Sequence, residues 1–275
     1  MTPGASRPQV AVRQITPGQP LQWLAAGWKD LWRCGWLSLA HGAVLALFGL
    51  ALFAVARQRF WLLAGAFSGF LVVAPVLATS LYAMSRALER GDPIGLALLR
   101  DTWLGWQQSR FVDHAGYWCL VRFGVLLALA GTGWVMTSAA LITLMAPAPI
   151  LTPMDFLRHV VLGHDHFLFE AWLSMGGILA APIFASSVVS MPLMLDRRIR
   201  LMDAVLASWQ VVLANPLPMA VWSGLIMLLV LLGFASLLLG LLLIVPLLGH
   251  ASWHAYRDLV DASALPERAA AGTTH

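Results

Sequence analysis

From residue 35 to residue 256 the chain alternates long apolar runs with short polar segments. About 20 apolar helical residues, each rising ~1.5 Å, cross a ~30 Å hydrocarbon core. Six runs meet that length: 35–56, 60–84, 115–144, 170–194, 217–235 and 237–256. Arg57 and Arg59 mark a tight turn between the first two. The third run is overlong and is accommodated by tilt or by extension past the membrane. Leu217 to Gly249 is one unbroken apolar run. As a single helix it would reach roughly 50 Å, well beyond the core. The pattern therefore predicts a hairpin broken near Gly233–Ser236; a single tilted helix would leave five spans and put the C-terminus outside.

Three polar segments carry helical amphipathic periodicity of a different kind. Leu21, Leu24, Trp28, Leu31 and Trp32 share one face, with Gln22, Lys29 and Arg33 elsewhere. A second stripe is Leu96, Leu99, Trp103 and Trp106, begun by Asp92 as a cap; a third is Leu201, Val205, Trp209 and Val212. Spacings of three, four and seven are helical. Flanking basic residues suit helices lying in the headgroup layer. The unit of amphipathic helix, span, outer turn and span thus occurs three times. Local similarity supports a repeat: "ALLRDTW" (97–103) parallels "AVLASW" (204–209), and "VAPVLATSLYAMSRAL" (73–88) parallels "IVPLLGHASWHAYRDL" (244–259). The expected architecture is an all-α integral membrane protein: six transmembrane helices as three hairpins around a pseudo-threefold axis, each preceded by a short cytoplasmic-side amphipathic helix. Residues 20–260 form one six-helix membrane domain in this reading, between disordered tails 1–19 and 261–275. The front tail lacks a signal-peptide pattern.

Composition agrees. The chain is 60% hydrophobic and 11% charged, with mean hydropathy +0.78. A soluble domain carries roughly 25% charged residues, so lipid is the solvent here. The net charge of +4 sets topology and does not point to nucleic acid. With the N-terminus inside, thirteen basic residues fall on the inner side and three, Arg57, Arg59 and Arg158, outside. Most tryptophans also fall near the inner interface, where an amphipathic ring is most at home. A bacterial inner membrane with both termini cytoplasmic is the expected location. The two cysteines, Cys34 and Cys119, read as small apolar residues rather than a disulfide. "GAFSG" (65–69) and "SMGGILAAPIFASS" (174–187) read as helix-packing faces.

Ionisable groups inside spans are costly and mark candidate sites. His41, Arg122 and His250 lie at a similar depth on the inner side, and Asp196 ends the fourth span. These four form the predicted buried polar or lipid-binding cluster. Arg122 can instead snorkel to phosphate, and the histidines can hydrogen-bond across helices. His250 and His254 share a helix face and are weak metal candidates, as are His164 and His166 in the outer "GHDHF" loop. A closed zinc site needs more ligands than either pair supplies. Polar interface residues and a solvated loop are the favoured readings. No phosphate loop, nucleophile elbow or zincin motif occurs. Beyond Glu170, the first residue of the fourth run, carboxylates are absent from the spans as drawn, which weakens a proton-coupled transporter.

Four stretches carry a resemblance: "RQITPGQPLQWLAAGWKDLW", "GFLVVAPVLATSLYAMSRALERGDP", "PLMLDRRIRLMDAVLASWQVVLANPLPMAVW" and "LLLGLLLIVPLLGHASWHAYRDLV". Over about residues 12–260 the chain resembles an uncharacterised proteobacterial family of integral membrane proteins, a domain of unknown function. Some members are labelled cytochrome c oxidase subunits, although the haem–copper ligand pattern of that enzyme's core subunit is missing here. The "S-W…N-P" segment more faintly resembles membrane domains linked to glycerophosphodiesterases. Neither resemblance supplies catalytic residues. The expected function is non-enzymatic and cofactor-free: an accessory, scaffold or lipid-interacting protein. The alternatives are a small-solute transporter or channel, and a subunit or assembly factor of a respiratory oxidase. Expected partners are anionic membrane lipids, with a membrane-protein partner or a second copy of the chain.

Overall fold

A computed structural model describes residues 10–56, 77–108, 118–163 and 167–268. Its elements are β1 (Ala11–Val12), α1 (Gln19–Cys34), α2 (Trp36–Ala56), α3 (Thr79–Arg90), α4 (Leu96–Gln108), α5 (Trp118–Met145), α6 (Pro153–Phe156, continued by a π turn over Leu157–Val161), α7 (Phe167–Ser187), α8 (Ser190–Asp196), α9 (Leu201–Ala214), α10 (Pro216–Ala235), α11 (Leu241–Leu259) and β2 (Val260–Asp261). The all-α membrane fold is therefore present. Among the described residues, three stretches are long and apolar enough to cross a membrane: Cys119–Met145, Phe167–Asp196 and Pro216–Ala235. A fourth arises if α1 and α2 are taken as one span bent by 103°. The six crossings expected from hydropathy are thus met only in part. Most of the second run, residues 60–76 of 60–84, lies outside the described residues, as does the turn before it. The sixth, α11, turns polar halfway, from His250 to Asp258.

The chain divides into two compact units: residues 1–43, 75–123 and 185–275, and residues 44–74 and 124–184. In the second unit Ile142, Ile150, Val160 and Leu168 form a buried cluster. Trp172 packs there against Trp134, Phe156 and Phe169 and donates its indole N–H to Ser138 Oγ at 2.7 Å.

In the first unit α3, α8 and α11 pack on one another and are the most buried elements. Each carries one amphipathic helix on its outside: α4 on α3, α9 on α8 and α1 on α11. This is a threefold plan. The indole N–H of Trp103 donates to Ser80 Oγ at 2.6 Å, and that of Trp209 donates to Ser186 Oγ at 3.0 Å, with a separation of 23 residues in both pairs. The "ALLRDTW"/"AVLASW" parallel therefore extends to an identical contact. At the third position Ala251 stands where the alignment puts Ser80, and Gly27 of α1 approaches its backbone directly. Trp103→Phe and Trp209→Phe remove equivalent hydrogen bonds. Each variant should lose about 0.5–1.5 kcal/mol in detergent melts; a loss at one site alone would contradict the equivalence.

The stripes are oriented by lipid. In α1 the residues Trp23, Gly27, Asp30, Leu31 and Cys34 turn inward, while Leu21, Trp28 and Trp32 are exposed. Leu31 thus leaves the predicted stripe. In α9 the small residues Ala204, Ala207 and Ser208 pack inward with Val211, and Met202, Leu206, Trp209 and Leu213 face out. With no hydrophobic force between helices in lipid, small residues that permit close approach take the inside and large apolar ones take the outside.

Two turns position the rest. Gly35, at φ +59°, turns α1 into α2 with its N–H on Leu31 O. Between α10 and α11, Leu237 and Leu238 have positive φ, and Ser236 Oγ donates to Gly233 O and accepts from Gly240 N. The long apolar run is therefore two helices, broken just beyond Gly233–Ser236. Composition assigns the flanks to disordered tails, yet β1 pairs antiparallel with β2 (Ala11 with Asp261, Val12 with Val260). Asn215 holds the approach by accepting Ile15 N–H and donating to Arg13 O. Residues 265–268 run back along Asp196–Arg198.

Candidate functional site

Two buried polar clusters occupy the first unit. The first joins four helices. Ser38 of α2 meets His250 Nε2 at 2.8 Å, and His250 Nδ1 meets Ser85 Oγ of α3 at 2.7 Å. Ser85 donates to Asp30 Oδ2 of α1 at 2.8 Å, and His254 Nε2, one turn beyond His250 on α11, meets the same oxygen at 2.8 Å. Ser38, Ser85, His250 and Asp30 are all buried, and His254 is about one-third exposed. Donor counting fixes the directions. The single Ser85 proton goes to Asp30, so His250 must donate from Nδ1. Its Nε2 then accepts from Ser38, and His254 donates from Nε2.

The second cluster centres on Asp196, the last residue of α8, whose side chain is 3% exposed. Its carboxylate pairs with Arg86 at 3.0 Å, Arg90 at 3.2 Å and Arg197 at 2.9 Å, and accepts the Tyr256 hydroxyl at 2.9 Å. Arg86 also donates to the Arg268 carbonyl, and Arg268 donates from Nε to Met194 O. Glu267 bridges Arg90 and Arg197. Burial works against the Arg197 charge, but the adjacent Asp196 carboxylate outweighs it and raises the guanidinium pKa. Nearby, hydrogen bonds from Ser263, then Arg13, hold the Asp261 carboxyl at about 2. Arg13, Arg197, Arg257 and Asp261 line a half-open cleft of about 290 Å³.

The predicted polar layer is distributed among these places. His250 is in the first cluster and Asp196 is the centre of the second. His41 bonds through Nδ1 to Leu37 O of its own helix. Arg122 is exposed on α5, and Asp196 takes Arg86, Arg90 and Arg197 as its cations. His250 and His254 both turn toward the Asp30 network. His164 and His166 lie outside the described residues. Among the described residues, no three His, Cys, Asp or Glu side chains gather as a metal site. Cys34 and Cys119 are free and buried.

Asp30, Ser85, Ser38, Arg86 and Tyr256 are missed by the sequence reading. Asp30 has a signal: it falls on the helical face of Trp23, Gly27, Leu31 and Cys34, where a charge is out of place among inward residues. Ser85 and Arg86 lie where the second apolar run ends and read as a polar boundary.

The first cluster is a continuous hydrogen-bonded chain from Ser38 through His250 and Ser85 to Asp30 and His254; it is not arranged as a Ser-His-Asp triad. Ser85 donates to the carboxylate and accepts from the imidazole, so the imidazole does not stand as its general base as it would in a triad. No curated protein and no solved structure matches the chain. Residues 62–196, which include α3 and α8 with Ser85, Arg86 and Asp196, match the family model described as "Predicted integral membrane protein (DUF2189)". The chain is thus an integral membrane protein that is similar, over residues 62–196, to an uncharacterised membrane family.

Proposed function

We propose that this is a non-enzymatic, lipid-interacting accessory or scaffold protein of a bacterial inner membrane. It crosses six times with both termini cytoplasmic, and α1, α4 and α9 lie in the cytoplasmic headgroup layer. The observation that carries the reading is the outward face of those three helices. Leu21, Trp28 and Trp32, then Leu96, Trp103 and Leu104, then Met202, Leu206 and Trp209 are exposed, although each helix has a packed inward face. Lys29, Arg33, Arg100 and Arg200 are exposed on or beside the same helices. Apolar stripes with adjacent cations suit an anionic interface, at about 1 kcal/mol per basic residue.

The test uses the full chain with Lys29, Arg33, Arg100 and Arg200 all replaced by Gln. Mass spectrometry of co-purified lipid should show the ratio of anionic to zwitterionic lipid falling at least tenfold. An unchanged ratio means that the cations serve topology instead. Small-solute transport is the second reading, and the buried Asp30–His250 network is the observation in its favour.

A further inference from the structure

We propose that Asp30, His254, Ser85 and His250 form a proton-binding site, in which a proton entering at His254 is held by the Asp30 carboxylate and sensed at His250 through the Ser85 hydroxyl. The ligand is a proton, and the site lies outside the lipid-facing surface that carries the proposed function.

Four observations support it. The only partly exposed member is His254, at 32%, while Asp30 at 8% and the inner groups are shut from water. Solvent protons therefore have an entry point at one end. The two histidines reach Asp30 differently, His254 directly and His250 only through Ser85. With Asp30 ionised and His250 neutral, the Ser85 proton goes to Asp30 and His250 donates from Nδ1, so a proton gained at Asp30 changes the bond that Ser85 shares with His250. Finally, the groups come from α1, α2, α3 and α11, and a buried carboxylate is a costly way to join helices that apolar residues would hold as well.

The titratable groups facing His250 are Asp30 of α1, His41 of α2 and His254 of α11, with Cys34 of α1 beside Ser38 and Asp30; α3 contributes the Ser85 hydroxyl. The loading step is balanced. A water proton adds to His254 Nδ1 and makes the imidazolium. The Nε2–H bond then breaks as an O–H bond forms on Asp30 Oδ2, leaving a neutral imidazole and a neutral carboxylic acid. With the carboxylate charge gone, the Ser85 proton is no longer drawn to Asp30, and the Ser85–His250 bond changes.

The experiment is a pH titration of the full chain in nanodiscs with ¹⁵N-labelled histidine, following the ring nitrogens of His250 and His254. His250→Gln, which keeps a donor and an acceptor near the same points, assigns its signals. In the wild type, the His250 signals should move in the same pH step as those of His254. His254→Gln, at the exposed end, leaves the buried bonds in place and should shift the His250 response by at least tenfold in proton concentration. Ser85→Ala should remove the shared step. His250 signals that stay fixed while His254 titrates overturn the proposal, as does a His250 response unchanged in His254→Gln. Either result makes the cluster a structural clamp and leaves the lipid reading untouched, since that reading is decided by co-purified lipid.

Discussion

Replacing Asp196 with Ala should cost about 3–5 kcal/mol, the usual loss when one partner of a buried ion pair is removed. The size follows from what remains. Arg86 and Arg197 are 10% and 11% exposed, and without the carboxylate both guanidinium charges stay in a poorly solvated place. Tyr256, fully buried, loses the acceptor of its hydroxyl. Asp196 also stands where α8 meets α3 and α11, so the loss falls on the centre of the threefold plan. Arg90→Ala should cost much less. Its side chain is 31% exposed, so water can replace the pairing, and Arg86 and Arg197 still neutralise Asp196. Thermal melts in mild detergent, with intrinsic fluorescence as readout, give both values. Equal losses at Asp196 and Arg90 would mean that the cluster is wet and that its charges act through topology alone.

The membrane class and the helical segments follow from patterns of apolar residues, which sum over many positions. The hairpin break after residue 235 was legible because a 33-residue helix outruns a bilayer, although the residues that make the turn, Leu237 and Leu238, carry no turn signal. The inward faces of α1 and α9 were less legible. In water the apolar stripe would be buried, but in lipid both faces can be apolar, and residue size decides which face packs. The two clusters were half visible. His250 and Asp196 stood out as ionisable residues in or at the end of apolar runs. Asp30 and Arg86 did not, because segments taken as interfacial are expected to hold charges. Their partners come from 55 to 224 residues away along the chain, and a single sequence carries no signal for such pairings. The paired tails were missed for a similar reason: β1 and β2 are two residues each and exist only because Val12 and Val260 are brought together.

Gly27→Ala should be among the most damaging single-methyl additions to the chain, and it should act on the proton site as well as on stability. A Cβ at Gly27 would lie 2.7 Å from Ala251 N and 2.9 Å from Leu247 O, both backbone atoms of α11. No side chain can move aside, so the helices themselves must separate. Gly42 of α2 meets the same helix: its Cβ would overlap the Leu242 carbonyl and lie 2.8 Å from Leu242 Cα. Overpacking of this kind costs about 1–3 kcal/mol or more. Gly177→Ala and Gly224→Ala are the controls, since a Cβ there meets nothing within 4 Å; they should be neutral or slightly stabilising. Because Gly27 and Gly42 press on one helix, the two losses should not add. The same displacement separates Asp30 of α1 from His254 of α11, a 2.8 Å bond one turn from the Gly27 contact. Gly27→Ala should therefore lower the melting temperature and, in nanodiscs at a temperature where the protein remains folded, shift the His254 ring ¹⁵N signals toward those of a solvated imidazole. A Gly27→Ala variant with wild-type stability and unchanged His254 signals would show that α1 and α11 are not in this close contact in the membrane, and that the Asp30–His254 pair does not depend on it.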